Sequence, residues 1–156
     1  MRYTAQEEYG LRCLLQLARH DSDEPMAIEE IARKEGLTPH YVGKLMRILL
    51  KGGLIESTRG KNGGYRLSRP AEHVSIEEAL DVLDGRLYTS ENCKRFTGDL
   101  ENCVNSSDCS VRVLWTTVDR AVSRVLQNTM LTDLIPGTMA AGINHQNGSL
   151  TVNKTK

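Results

Sequence analysis

Three cysteines, Cys93, Cys103 and Cys109, follow one another as C-x9-C-x5-C in a polar stretch with one glycine and no apolar period. Such a segment has no face to bury as a helix or a strand, so something other than a hydrophobic core has to hold it. A metal centre can do so, because irregular backbone turns several thiolates towards one point, as iron and zinc centres require. In a reducing compartment, clustered thiols favour a metal or redox role over a disulfide framework. Structural zinc sites usually show C-x2-C or C-x4-C pairs, and this chain has neither. The remaining chemistry open to these thiols is oxidation to a disulfide without metal. A fourth cysteine, Cys13, falls inside a helical pattern, where a buried structural thiol is the default.

The elements that must position this segment are mostly helices. Residues 4–20 read as the first, with Leu11, Leu14, Leu15 and Ala18 at helical spacing and Thr4 and Glu7 as a capping box. Residues 27–35 form a short helix with Ile28, Ile31 and Ala32 inward, stopped at Gly36. Thr38 then caps a further helix whose first residue is Pro39 and whose buried stripe is Val42, Leu45, Met46 and Leu49. Two short helices joined by a glycine turn make a helix-turn-helix. The first turns of the second helix normally reach base edges, which makes Thr38, His40, Tyr41, Lys44 and Arg47 candidate DNA contacts.

Leu54–Thr58 and Tyr65–Ser68 are strand candidates joined by Gly60–Gly64, with Asn62-Gly63 as the hairpin signal. A hairpin directly after a helix-turn-helix is a wing, and Arg59 and Lys61 at its tip suit a phosphate or a minor groove. Ser75 and Glu78 form a second capping box, opening a helix through Asp84 that Gly85 ends. Beyond the cysteines, Ser110 to Asn128 is the longest periodic segment, with Val111, Leu114, Trp115, Val118, Val122 and Val125 or Leu126 on one stripe. A stripe of that length carrying a tryptophan calls for a partner surface. Met130–Ile135 reads as a short return helix, and the Gly/Asn/Ser/Thr-rich chain after Pro136 as a disordered tail.

Net charge is zero over 156 residues, but its distribution is uneven. Residues 26–69 hold nine Lys/Arg against four Asp/Glu, and residues 70–110 hold three against nine. The basic half suits a phosphate backbone and the acidic half does not. The start of the chain has no apolar stretch of the signal-peptide kind and no run is long enough to cross a bilayer, so a cytoplasmic protein is expected. Nothing in the pattern favours an enzyme. There is no Ser/His/Asp constellation, and Gly60–Gly64 lacks the following helix that phosphate-cradling loops require.

In this order the parts resemble the Rrf family of bacterial winged-helix regulators, with its IscR-like and NsrR-like branches. The residues carrying the resemblance are Met1-Arg-Tyr-Thr4, the segment from Ile28 to Leu54, Arg59 to Leu67, Asp84-Gly85, and three cysteines before a long helix; it covers roughly residues 1–135. It implies a mainly α fold, a winged helix-turn-helix with a small antiparallel hairpin and a long dimerisation helix. It also implies a homodimeric repressor of a near-palindromic operator, whose DNA binding follows an iron–sulfur cluster sensing nitric oxide, redox state or iron supply. Cys93, Cys103 and Cys109 match the cluster ligands, although the first gap is longer here than in those branches. The position where IscR-type members carry a ligating His is Arg112; NsrR-like members use an acidic residue of the first helix, and the matching residue is Glu8. The cluster type, 2Fe–2S or 4Fe–4S, stays open. Where IscR carries a Glu that discriminates between operators, this chain has Gly43. The expected division is a DNA-binding unit at 1–85, a cluster loop at 86–109, a dimerisation segment at 110–135 and a tail at 136–156. The alternative is a metal-free, thiol-based redox regulator.

Overall fold

The computed structural model describes residues 4–20, 24–60, 63–83, 94–105 and 107–135. Gly85, the expected stop of the fourth helix, and the tail at 136–156 lie outside them. Within the described residues the order is α1 (Ala5–Ala18), α2 (Ile28–Glu35), α3 (Pro39–Lys51), β1 (Ile55–Thr58), β2 (Gly64–Leu67), α4 (Ile76–Val82) and α5 (Ser110–Gln127). One-turn 3-10 helices at Ala71–His73 and Leu131–Leu134 complete it. This is the mainly helical winged fold that the pattern predicts. No helix among the described residues is long and apolar enough to cross a membrane.

The core is one aliphatic cluster with α1 at its centre. Helix α1 packs against α2, α3, α4, β2 and the turn at Leu131–Leu134. Its fully buried residues are Cys13 and Leu14, with Leu17 and Gly10 beside them. Leu11, Leu15 and Ala18, expected on the inward stripe, are half-buried and flank that face. The difference arises because α1 is covered from several sides, so its buried arc is wider than one stripe and is centred elsewhere. Thr4 and Glu7 form the expected capping box. The stripe of α3 is as expected: Val42, Leu45, Met46 and Leu49 are all inaccessible to solvent. Between α2 and α3, Gly36 takes a left-handed backbone (φ 67°), which only glycine adopts at little cost.

The second capping box is half formed. The Ser75 hydroxyl accepts from the Glu78 N–H at 3.2 Å, but the Glu78 carboxylate pairs with Arg69 instead of turning back. The return segment is a 3-10 turn rather than an α-helix, held by Ile76 N–H to Thr129 C=O (2.9 Å) and Leu131 N–H to Val74 C=O (2.8 Å). These bonds, the burial of Leu131 and a hydrogen bond from Ser123 to Glu77 fasten the far end of α5 to the winged unit. At the near end the described residues leave the apolar side chains open to solvent. Helix α5 contains no buried residue; Val111, Val113, Leu114, Trp115 and Val125 are exposed.

Candidate nucleic-acid interface and cysteine segment

Helix α3 is two-faced by sequence. With Val42, Leu45, Met46 and Leu49 in the core, the 3.6-residue period leaves Thr38, His40, Lys44 and Arg47 on the outside, and all four are exposed. Lys51, exposed in the last turn, extends the same stripe. It could have been found by continuing the 40–44–47 spacing one more turn. The Thr38 hydroxyl accepts from the Tyr41 N–H at 3.3 Å, completing the cap. Arg47 Nε donates to the Gly43 C=O at 3.3 Å, so this guanidinium lies along its own helix. Gly43 is half-buried. Tyr41 sits differently from those four exposed residues. It is half-buried and packs edge-on against Tyr9 of α1, with ring centroids 6.1 Å apart, because a ring at this third helical position falls between the outer and the core faces.

The wing pairs Ile55 with Leu67, Glu56 with Arg66, Ser57 with Tyr65 and Thr58 with Gly64. Met26 adds a third backbone to it, exchanging N–H···O bonds of 2.9 Å each way with Tyr65. No sequence signal announces that pairing, since Met26 stands alone next to Pro25. The strands begin and end one residue inside the expected Leu54 and Ser68. The loop also turns differently. The left-handed backbone is at Gly60 (φ 117°), and Gly63 is absent from the positive-φ glycines. Gly63 is needed for room instead, since a Cβ there would lie 2.4 Å from the Thr58 carbonyl oxygen. Lys61 and Asn62 lie outside the described residues. Arg59 is exposed at the end of β1, while Arg66 is paired with Glu56 across the strands at 2.7 Å.

Among the described residues of the cysteine segment, Lys94 and Arg95 are helical, against the expectation of no helix, and the rest is turn and irregular backbone on which Cys103 and Cys109 are half-exposed free thiols. Cys93 lies outside the described residues. Cys109 is the N-cap of α5, its Sγ accepting from the Arg112 N–H at 3.4 Å. Among the described residues no three His, Cys, Asp or Glu side chains gather as a metal site; Cys103, Cys109 and Glu8 therefore do not converge within one chain. Glu8 is exposed on α1, one turn before Arg12, whose charge it helps to hold. The neighbouring Glu7 is nearly buried and committed to its cap. Arg12 is held above its ordinary range chiefly by its hydrogen bond to Glu35, then by that carboxylate's charge. Burial, with a smaller push from Glu35, drives the Cys13 thiol up to about 12, so it stays protonated and inert near neutrality.

A family model described as "Rrf2: Iron-dependent Transcriptional regulator" matches residues 3–137. The protein named rrf2 from Nitratidesulfovibrio vulgaris is 34% identical over 137 residues, covering 86% of this chain and 87% of that one. Among solved structures, CymR (YrzC), described as the global cysteine regulator of B. subtilis, superposes with a TM-score of 0.69 at 27% identity, covering 86% and 95% of the two chains. IscR of T. potens superposes with a TM-score of 0.66 at 28% identity, covering 85% of each.

Proposed function

The chain belongs to the Rrf2 family of transcriptional regulators, and on that premise we propose that it is a homodimeric repressor whose DNA binding follows the state of an iron–sulfur cluster on the 86–109 segment. It is a regulator rather than an enzyme. The observation that carries the DNA reading is the outer stripe of α3, where His40, Lys44 and Arg47 stand exposed beside the wing while the opposite face is fully buried. Thr38, His40 and Lys44 would meet base edges, and Arg47, Arg59 and Lys61 phosphates. Tyr41 contributes through the pose of the first turn. The long exposed helix α5 supports pairing with a second copy, and a dimer implies two half-sites one or two helical turns apart.

For the cluster, the donor chemistry fits. Cys103 and Cys109 are accessible thiols on irregular backbone, and Cys93 belongs to the same segment. When bound, a cluster supplies a centre that changes charge or falls apart with redox state, nitric oxide or iron supply. Glu8 as fourth ligand would reach the cluster from a second copy or after movement of the loop, since Cys103, Cys109 and Glu8 do not gather among the described residues. The likeness to CymR, of which a Staphylococcus aureus structure is described as an oxidized form, favours a second reading in which Cys103 and Cys109 sense oxidants as thiols.

Anaerobic purification tests these readings. Visible absorbance with bound iron, lost in Cys93→Ala, Cys103→Ala and Cys109→Ala but kept in Cys13→Ala, is the expected result. A colourless, iron-free protein whose DNA affinity responds to oxidant would replace the cluster with the thiol reading. For DNA, Arg59→Ala should reduce the slope of log affinity against log salt by about one unit, and an unchanged slope would remove Arg59 from the interface.

A further inference from the structure

One face of α1 carries Tyr9, Arg12 and Gln16, spaced to lie in line along the helix. Together they touch both sides of the turn between α2 and α3. Arg12 Nε donates to Glu35, the last residue of α2, at 2.6 Å, and Gln16 Nε2 donates to the other oxygen of the same carboxylate. The Glu35 side chain is only 5% exposed, so the carboxylate depends on these donors. The Arg12 guanidinium lies 5.3 Å from the centroid of the Tyr9 ring. Tyr9 in turn meets Tyr41, in the first turn of α3, at an interplanar angle of 87°. Contacts therefore run from Glu35 through Arg12 and Tyr9 to Tyr41, bypassing the Gly36–Thr38 turn.

A three-residue turn with a left-handed glycine does not by itself settle the angle between two short helices. Val42, Leu45, Met46 and Leu49 anchor the body of α3, whereas base reading falls to its first turn. Direct readout needs donors and acceptors held to about half an ångström. Building on α3 as the DNA-reading helix, we propose that Tyr9 and Arg12 are positioning residues for sequence specificity. They brace the first turn of α3 from α1 and thereby set the register of Thr38, His40 and Lys44 on the bases, without touching DNA themselves.

The test takes the operator that the full-length wild-type protein selects from a random duplex library. Affinities are then measured for every single-base variant of that operator and for an unrelated duplex. Tyr9→Phe, which keeps both ring contacts, should retain the wild-type preference. Tyr9→Leu should cut discrimination about tenfold at the positions read by the first turn of α3, within the range a single mismatched pair covers. Affinity for the unrelated duplex and the salt slope should hold, because phosphate contacts are untouched. Arg12→Gln, which can still donate to Glu35 but loses the cation over the ring, should show a smaller loss in the same direction and serves if Tyr9→Leu does not fold. A folded Tyr9→Leu or Arg12→Gln protein with unchanged base preference would overturn the inference alone. So would an equal loss on every duplex, which would mark a merely structural role. A wild-type protein that selects no sequence would overturn the DNA reading and this inference with it.

Discussion

Cys109 holds two positions in the structure at once, a candidate metal ligand and the cap of α5. Serine and alanine separate them. Cys109→Ser supplies a better helix cap and removes the thiolate, so it should keep the first turn of α5 protected in hydrogen exchange while losing iron. Cys109→Ala should lose both, with a helix cost of about 1 kcal/mol or less. Iron retained in Cys109→Ser would strike Cys109 from the ligand set. Cys13 makes the opposite case. Its thiol ionises near 9 when unfolded and near 12 when folded, so between those values the unfolded chain binds fewer protons and stability falls as pH rises. The contribution is fully present below pH 9 and lost through pH 12. Cys13→Ala should flatten that decline in thermal midpoint, and at neutral pH alkylation should reach Cys103 and Cys109 long before Cys13. Prompt labelling of Cys13 in the folded protein would contradict its burial.

Among the elements, the wing depends most on a single backbone position. Gly64 opens β2 where Met26 approaches, and a Cβ there would stand 2.5 Å from the Met26 carbonyl oxygen. A main-chain atom cannot swing aside as a side chain can. Gly64→Ala should therefore cost about 1–3 kcal/mol, read in denaturant unfolding, and should lower DNA affinity by displacing the wing. An unchanged midpoint would mean that the Met26–Tyr65 bridge yields freely. The first helix shows how near two neighbouring carboxylates can be in sequence and how different in setting. Glu7 caps and is nearly buried, whereas Glu8 is exposed. Glu7→Ala is therefore not a silent control for Glu8→Ala.

For the whole molecule, the apolar surface of α5 stands out because the described residues leave it uncovered. Val111, Leu114 and Trp115 lie on one face and stay 59%, 58% and 46% exposed, while the far end of the helix is tied to α4 and the closing turn. With about half of each already covered, burying the remainder in a dimer is worth roughly 1 kcal/mol or a little more per side chain. Leu114→Glu should therefore weaken self-association at least about tenfold in sedimentation, and operator affinity should fall with it if, as proposed, each chain of a dimer holds one half-site. A stable Leu114→Glu dimer would move the interface elsewhere.

The helix-turn-helix was legible in the amino-acid sequence because its information is local. Thr38-Pro39 starts α3, Gly36 ends α2, and the spacing of Val42, Leu45, Met46 and Leu49 decides which face is buried. The same applies to the irregular backbone around Cys103 and Cys109 and to the apolar stripe of α5, but not to the helical Lys94 and Arg95. What the chain order could not express were contacts between segments distant in sequence. Met26 joined the wing, Glu35 was closed over by Arg12 and Gln16, Tyr41 was drawn onto Tyr9, and Glu78 turned to Arg69. Each is a pairing whose partner lies 9 to 39 residues away. Local spacing decides which side of an element is apolar. Which polar groups meet depends on how the elements pack, because a buried or crowded side chain takes whatever partner the tertiary fold brings within hydrogen-bond reach.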